Sequence, residues 1–186
     1  LGMTVVITNH GPDYHRQKWG RVAKAMLMLG EYLGGKFANQ VIAISRHIQD
    51  IVKQRCGRDS TLIHNGVGVP EITESSDYIK SLGVTPGQYM IAVARFVPEK
   101  GLHDLIEAFQ RLECPWKLVI AGDADHEDDY SRALKRSVAR NPDIILAGYI
   151  TEEPLRELFS HAGLFVMPSY HEGLPIALLE AMSDAS

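Results

Sequence analysis

The sequence predicts an α/β fold built on a doubly wound parallel sheet, and three observations carry that prediction. Short runs rich in Val, Ile and Leu alternate with stretches of helical periodicity, as in repeated strand–helix–strand crossovers. The runs are mostly apolar, as strands buried on both faces are. Several end in turns containing Gly, Pro, Asn or Asp, at the sheet edge where open α/β folds place their ligands.

Taken in order, Met3 to Thr8 predicts a buried strand that closes at Asn9-His10-Gly11-Pro12-Asp13. Gln17 to Phe37 predicts a helix, because Val22, Ala25, Met26, Leu29 and Leu33 recur at helical spacing. Val41 to Ser45 is a second strand, and Ser45 is placed to cap a helix running through Gln54. Thr61 to Ile63 is a third strand and runs into His64-Asn65-Gly66-Val67. Residues 69–76 carry Pro, acids and serines without a period and predict a linker between domains at 1–68 and 77–186.

In the second domain, strands are predicted at Tyr89–Ala94, Lys117–Ala121, Ile144–Leu146 and Leu164–Met167. Helices are predicted over Leu102–Leu112, from about Asp129 to Arg140, and over Glu153–His161. Pro168 and Ser169 close the last strand, and a further helix opens near Pro175, where a missing N–H costs no hydrogen bond.

With 186 residues, 45% of them hydrophobic and 23% charged, the chain suits a globular protein with a substantial core. A formal charge of −4 gives no global nucleic-acid signature. Cys56 and Cys114 are the only cysteines, which excludes a disulfide framework and fits a reducing cytoplasm. No apolar run is long enough to span a bilayer, and Met3 to Thr8 is too short for a secretory signal.

The chemistry concentrates at strand ends. His171-Glu172-Gly173-Leu174-Pro175-Ile176-Ala177-Leu178-Leu179-Glu180-Ala181-Met182 joins a turn to a helix whose opening amides and dipole make an anion site. Glu172 and Glu180 beside that site would repel an anion, so they suit neutral hydroxyls. A diphosphate flanked by hydroxyls describes a nucleotide sugar. Arg95-Phe96-Val97-Pro98-Glu99-Lys100-Gly101 places two cations on a turn between a strand and a helix. Both stand at the C-terminal edge of the sheet, on the side where Glu172 should lie.

These residues carry a family resemblance. E-x7-E within E-G-L-P…L-E-A-M, with R-x4-K at Arg95 and Lys100, resembles the group-1 (family 4) retaining glycosyltransferases of the GT-B fold. The resemblance implies Rossmann-like domains: 1–68 corresponds to the end of the N-terminal, acceptor domain, and 77–186 to most of the nucleotide-sugar-binding domain. The chain covers the middle of the family pattern, and complete members are roughly twice as long. By the same resemblance, Arg95 and Lys100 clamp the donor diphosphate and Glu180 receives the ribose hydroxyls. Glu172 lies by the donor sugar, and Gly173, Leu174, Pro175 and Ile176 offer backbone contacts. Ile150, in Gly148-Tyr149-Ile150-Thr151, matches the loop that packs on the base, and His10-Gly11 the turn that faces the sugar. His10, Arg95, Lys100 and Glu172 are therefore the expected catalytic residues. The longer run H-G-x-D-x-x-R-x-K-W-G, from His10 to Gly20, is similar to a bacterial polysaccharide rhamnosyltransferase subgroup.

Asp123-Ala124-Asp125 has the D-x-D form of metal sites in another transferase fold, but it leads into a helix whose dipole suits acids. Leu134 stands where a calcium loop needs its twelfth-position acid. No metal and no cofactor are expected. His15, Arg16, Lys18, Arg21 and Lys24, with Trp19, form a basic helix start suited to anionic lipid headgroups, a peripheral membrane contact near a lipid-linked acceptor. Gly68 stands where the family commonly has an acid after Asn-Gly-Val. The expected function is transfer of a sugar from a nucleotide-diphosphate sugar to a saccharide or lipid-linked acceptor in cell-surface polysaccharide synthesis. The alternatives are a non-catalytic nucleotide-diphosphate-binding fragment and a GT-B nucleotide-sugar epimerase.

Overall fold

The structure is a computed structural model that describes residues 2–12, 14, 19–68 and 73–184. The chain divides into two compact units, Leu1–Gly66 with Glu172–Pro175, and Val67–His171 with Ile176–Ser186.

The first unit holds a parallel sheet in the order β1 (Val6–Asn9), β2 (Gln40–Ala43), β3 (Thr61–Leu62). Between these strands run α1 (Arg21–Phe37) and α2 (Arg46–Cys56). Ser45 caps α2 as the sequence predicts, its hydroxyl accepting from the Ile48 N–H at 3.4 Å. Ala43, Ile44, Ile48 and Val52 form the core of this unit. The helix at α1 forms where the apolar period places it, but its Val22, Met26, Leu29, Leu33 and Phe37 are exposed rather than buried. Among the described residues, β1 stands at the edge of this sheet and pairs with β2.

The second unit holds four parallel strands in the order β6 (Ile144–Gly148), β5 (Lys117–Ala121), β4 (Tyr89–Val93), β7 (Leu164–Phe165). Its helices are α3 (Asp77–Ser81), α4 (Leu102–Gln110), α5 (Asp129–Val138), α6 (Glu152–Ser160) and α7 (Ile176–Asp184). Leu118 and Ile120 of β5 face Ile106 and Phe109 of α4 and Leu134 and Val138 of α5. Val119 and Ala121 pack instead with Ile79 of α3 and Leu158 and Phe159 of α6. Successive strand residues thus serve opposite faces, and the sheet is covered on both, as a doubly wound fold requires.

β7 is shorter than the expected Leu164–Met167 strand: it pairs with β4 only through Leu164 and Phe165, after which Val166 gives one more bond to Ile91 O and the chain turns at Pro168. α7 begins one residue after Pro175. Helix α3, for which no element is predicted, is held by buried Glu157, whose carboxylate accepts from the Ile79 N–H at 2.8 Å and the Ser75 hydroxyl at 3.0 Å. Of the expected linker, 69–72 lies outside the described residues, as do Asp13 and the 15–18 part of the basic segment. Among the described residues, no helix is long and apolar enough to cross a membrane.

Candidate active site

In the second unit, the sheet's C-terminal edge is built by the turns that follow its strands. After β4, Ala94 N–H bonds to Ala121 O at 3.0 Å, and Phe96 N–H to Asp123 O at 3.0 Å. Buried Phe96 joins the core beneath the turn, leaving Arg95 exposed beside it. Pro98–Lys100 forms a single 3-10 turn, closed by Gly101, and Lys100 is half-buried. Gly101 has φ +64°, and a Cβ there would strike the backbone carbonyl of Pro168. Position 101 therefore requires glycine twice, for its left-handed backbone and for this close approach.

That approach fastens the Arg95–Lys100 turn to the segment leading into Glu172. Tyr170 N–H donates to Glu99 O at 3.0 Å, and the Tyr170 hydroxyl donates to Asp104 Oδ2 at 2.5 Å. The hydroxyl also lies 3.1 Å from His103 Nε2, while His103 Nδ1 lies 3.0 Å from the Tyr130 hydroxyl. Because Tyr170 spends its proton on Asp104, His103 must donate through Nε2. In the neutral ring, Nδ1 then accepts from Tyr130. Burial, more than any neighbouring charge, pushes the Tyr130 phenol up to about 12. Sequence reasoning missed this chain of four side chains; its one signal was Tyr170 standing two residues before Glu172.

Glu180 is half-buried on α7, and burial, followed by the nearby Asp184 carboxylate, raises its pKa above the usual value. Ile176, at the start of the same helix, is exposed. Ile150 packs against the core around Ile79, Tyr89 and Leu158, so its side chain has a packing role. The D-x-D acids are engaged otherwise than a dipole reading expects. Asp123 meets Lys135 Nζ at 3.0 Å and the Ala124 N–H at 2.8 Å, and these contacts, Lys135 first, lower its pKa. Asp125 meets Arg95 at 2.9 Å. It is Asp128 that caps α5, in a reciprocal pair with Ser131. Among the described residues, no group of three His, Cys, Asp or Glu is arranged to hold a metal ion.

In the first unit, the His10 turn is set by Asn9. Its side-chain oxygen accepts from the Gly11 N–H at 2.9 Å, and its amide donates to Glu31 of α1 at 3.2 Å. Glu31 in turn faces Arg55 of α2 at 3.4 Å, and Arg55 bonds the Tyr14 hydroxyl. His10 itself is exposed. Glu172–Pro175 groups with this unit, although the sequence division assigned all of 77–186 to the second domain. The reason is local: Leu174 packs against the core cluster of Ile44 and Ile48, and Asn65 donates to the Leu174 carbonyl at 2.9 Å. A Cβ at Gly173 would come within 2.5 Å of the His10 carbonyl, so His10 and Gly173 are in direct backbone contact.

A parallel sheet covered on both faces, with a cation-bearing turn bound to the segment before an acid-bearing helix, defines a Rossmann-like α/β protein of the GT-B class. The crystal structure of Anabaena Alr3699/HepE in complex with UDP and glucose has this fold, with a TM-score of 0.82 at 22% identity over 98% of this chain and 51% of that one. The chain belongs to the family described as glycosyl transferases group 1, whose pattern matches residues 76–184, while that of Glycosyltransferase Family 4 matches 1–69. Its curated relatives include the Bacillus subtilis (strain 168) glycosyltransferase TuaC, named for teichuronic acid biosynthesis, 30% identical over 96% of this chain and 44% of that one. Another is the GDP-mannose:cellobiosyl-diphosphopolyprenol alpha-mannosyltransferase of Xanthomonas oryzae pv. oryzae, 28% identical over 98% of this chain and 48% of that one. The chain thus spans about half the length of these relatives.

Proposed function

We propose that this chain carries the donor site of a retaining, metal-independent glycosyltransferase that moves a sugar from a nucleotide-diphosphate sugar to a saccharide or lipid-linked acceptor in cell-surface polysaccharide synthesis. The observation that carries this reading is the fastening of the Arg95–Lys100 turn to the segment before Glu172, through Gly101 against Pro168 and Tyr170 against Glu99. Related proteins support the donor and acceptor classes: the Anabaena protein is also known with UDP-glucose, and the Xanthomonas enzyme is named for GDP-mannose and a diphosphopolyprenol acceptor.

In this reading Arg95 and Lys100 hold the diphosphate, Glu180 accepts from the ribose hydroxyls, and Glu172 and His10 attend the sugar. Backbone from Gly173 to Ile176 meets the phosphates or sugar, and Ile150 the base. The acceptor hydroxyl attacks the anomeric carbon from the face the diphosphate leaves. The bond to the diphosphate oxygen breaks, its electron pair stays on the leaving group, and a diphosphate oxygen takes the acceptor's proton. Cations placed for the growing charge lower the barrier. The engagement of Asp123 with Lys135 and of Asp125 with Arg95 supports a metal-free site. Trp19, Arg21 and Lys24, at the start of α1, are assigned to headgroup contact at the inner face of the membrane.

Calorimetric titration with UDP and GDP tests the clamp. A charged contact contributes roughly 1.5–3 kcal/mol, so Lys100→Ala weakens binding about ten- to a hundredfold. Lys117→Ala, at the far end of β5, leaves affinity unchanged; equal affinities for the two variants would refute the clamp. A second reading, binding without transfer, is motivated by the chain's half-length match to its relatives. A turnover assay with nucleotide sugars separates the two, since transfer by this chain rejects the second.

A further inference from the structure

The turn after β5 contains a charge that the proposed reaction does not use. Its backbone is tied on both sides: Phe96 N–H bonds to Asp123 O at 3.0 Å, and Gly122 N–H to Gly148 O at 2.7 Å. Asp123 is occupied by Lys135 and its own neighbouring amide. Asp125, two residues on, is thereby carried to Arg95, and its Oδ2 lies 2.9 Å from an Arg95 terminal nitrogen. The side chains are 45% and 64% exposed, so solvent screens the pair and it opens at little cost.

Resting on the reading of Arg95 as a diphosphate ligand, we propose that Asp125 is an internal competitor for the Arg95 guanidinium. A carboxylate and a phosphate ask for the same thing of arginine, a pair of parallel N–H donors in its planar fork. While Asp125 holds one terminal nitrogen of that fork, it keeps one of Arg95's many rotamers populated and keeps the side chain beside the strand end. A bound nucleoside diphosphate takes the fork over, and the displaced carboxylate then stands near a second anion. Asp125 therefore weakens nucleotide binding. It acts on the product diphosphate as it does on the donor, and so favours release after transfer. It is a positioning residue, acting through Arg95 without touching the reacting atoms.

The test is calorimetric titration of the chain with UDP, and separately GDP, at low and physiological salt. Asp125→Asn removes the charge and keeps the shape; it tightens binding about two- to fivefold, with the gain smaller at the higher salt. Asp125→Glu keeps the charge and restores wild-type affinity. In an Arg95→Ala background, Asp125→Asn changes nothing, because there is no fork to release. Unchanged or weaker binding by Asp125→Asn, with Arg95→Ala still weakening binding, overturns the competitor role and leaves the clamp standing. The same gain in the Arg95→Ala background also overturns it, showing a general charge effect. Failure of Arg95→Ala to weaken binding, or of the wild type to bind either nucleotide, removes the clamp and the competitor together.

Discussion

Glu180 shows what burial costs a single carboxyl, and the binding role proposed for it would carry that cost. Its carboxyl is held above the ordinary glutamate value of 4.5 by burial first and by Asp184 second. A raised acid is disfavoured in its ionised form by folding. Stability is therefore greatest below the unfolded value and is lost as pH rises through the folded one. Glu180→Gln removes the ionisation. It should melt at a higher temperature than wild type at neutral pH and at the same temperature in acid below 4.5. A gap that persists into acid would assign the effect to packing. The same variant is expected to bind UDP more weakly, since an amide is a poorer acceptor for ribose hydroxyls. Buried Glu157 serves structure instead, satisfying the Ile79 N–H, and nothing in its place on α6 announces this in the sequence. Its two partners lie about eighty positions away, beyond any local pattern.

At the level of elements, the strands of the second unit were legible because continuous apolar runs bounded by polar turns leave little alternative. Lys117–Ala121 is observed with the expected ends. β7 was overestimated because strand length depends on a partner, and the register with β4 ends at Phe165, with one last bond from Val166. α3 was missed because five residues give no period, and what orders it is Glu157. The turn at Gly101 was legible as a turn but not as a junction, since its contact with Pro168 joins positions 67 residues apart. Gly101→Ala should cost more than about 1–2 kcal/mol, from its left-handed backbone together with the collision with Pro168. Gly30→Ala, in α1 with open space around it, should raise stability by about 0.5–1 kcal/mol. Chemical denaturation of both variants measures the contrast. A tolerated Gly101→Ala would mean that the turn and the Pro168 segment move apart without cost.

For the molecule as a whole, the sequence pattern conveyed the α/β class, but not which apolar surfaces are covered. The stripe on α1 has the spacing of a core face, yet Val22 is 77% exposed and Phe37 73%. Val6 of the edge strand and Val5 before it are exposed too. Exposed apolar side chains along one helix bind hydrophobic dyes. The chain should therefore enhance the fluorescence of an anilinonaphthalene dye, and a Val22→Ser, Met26→Ser, Phe37→Ser variant should do so much less. Equal signals would place the dye elsewhere.

The donors through Tyr130, His103 and Tyr170 point one way, towards the Asp104 carboxylate, so each link fixes the sense of the next. The turn before Glu172 is thus latched by a phenol that answers two neighbours, and loss of the Tyr170 hydroxyl would take from Asp104 its donor and from His103 its acceptor at one stroke.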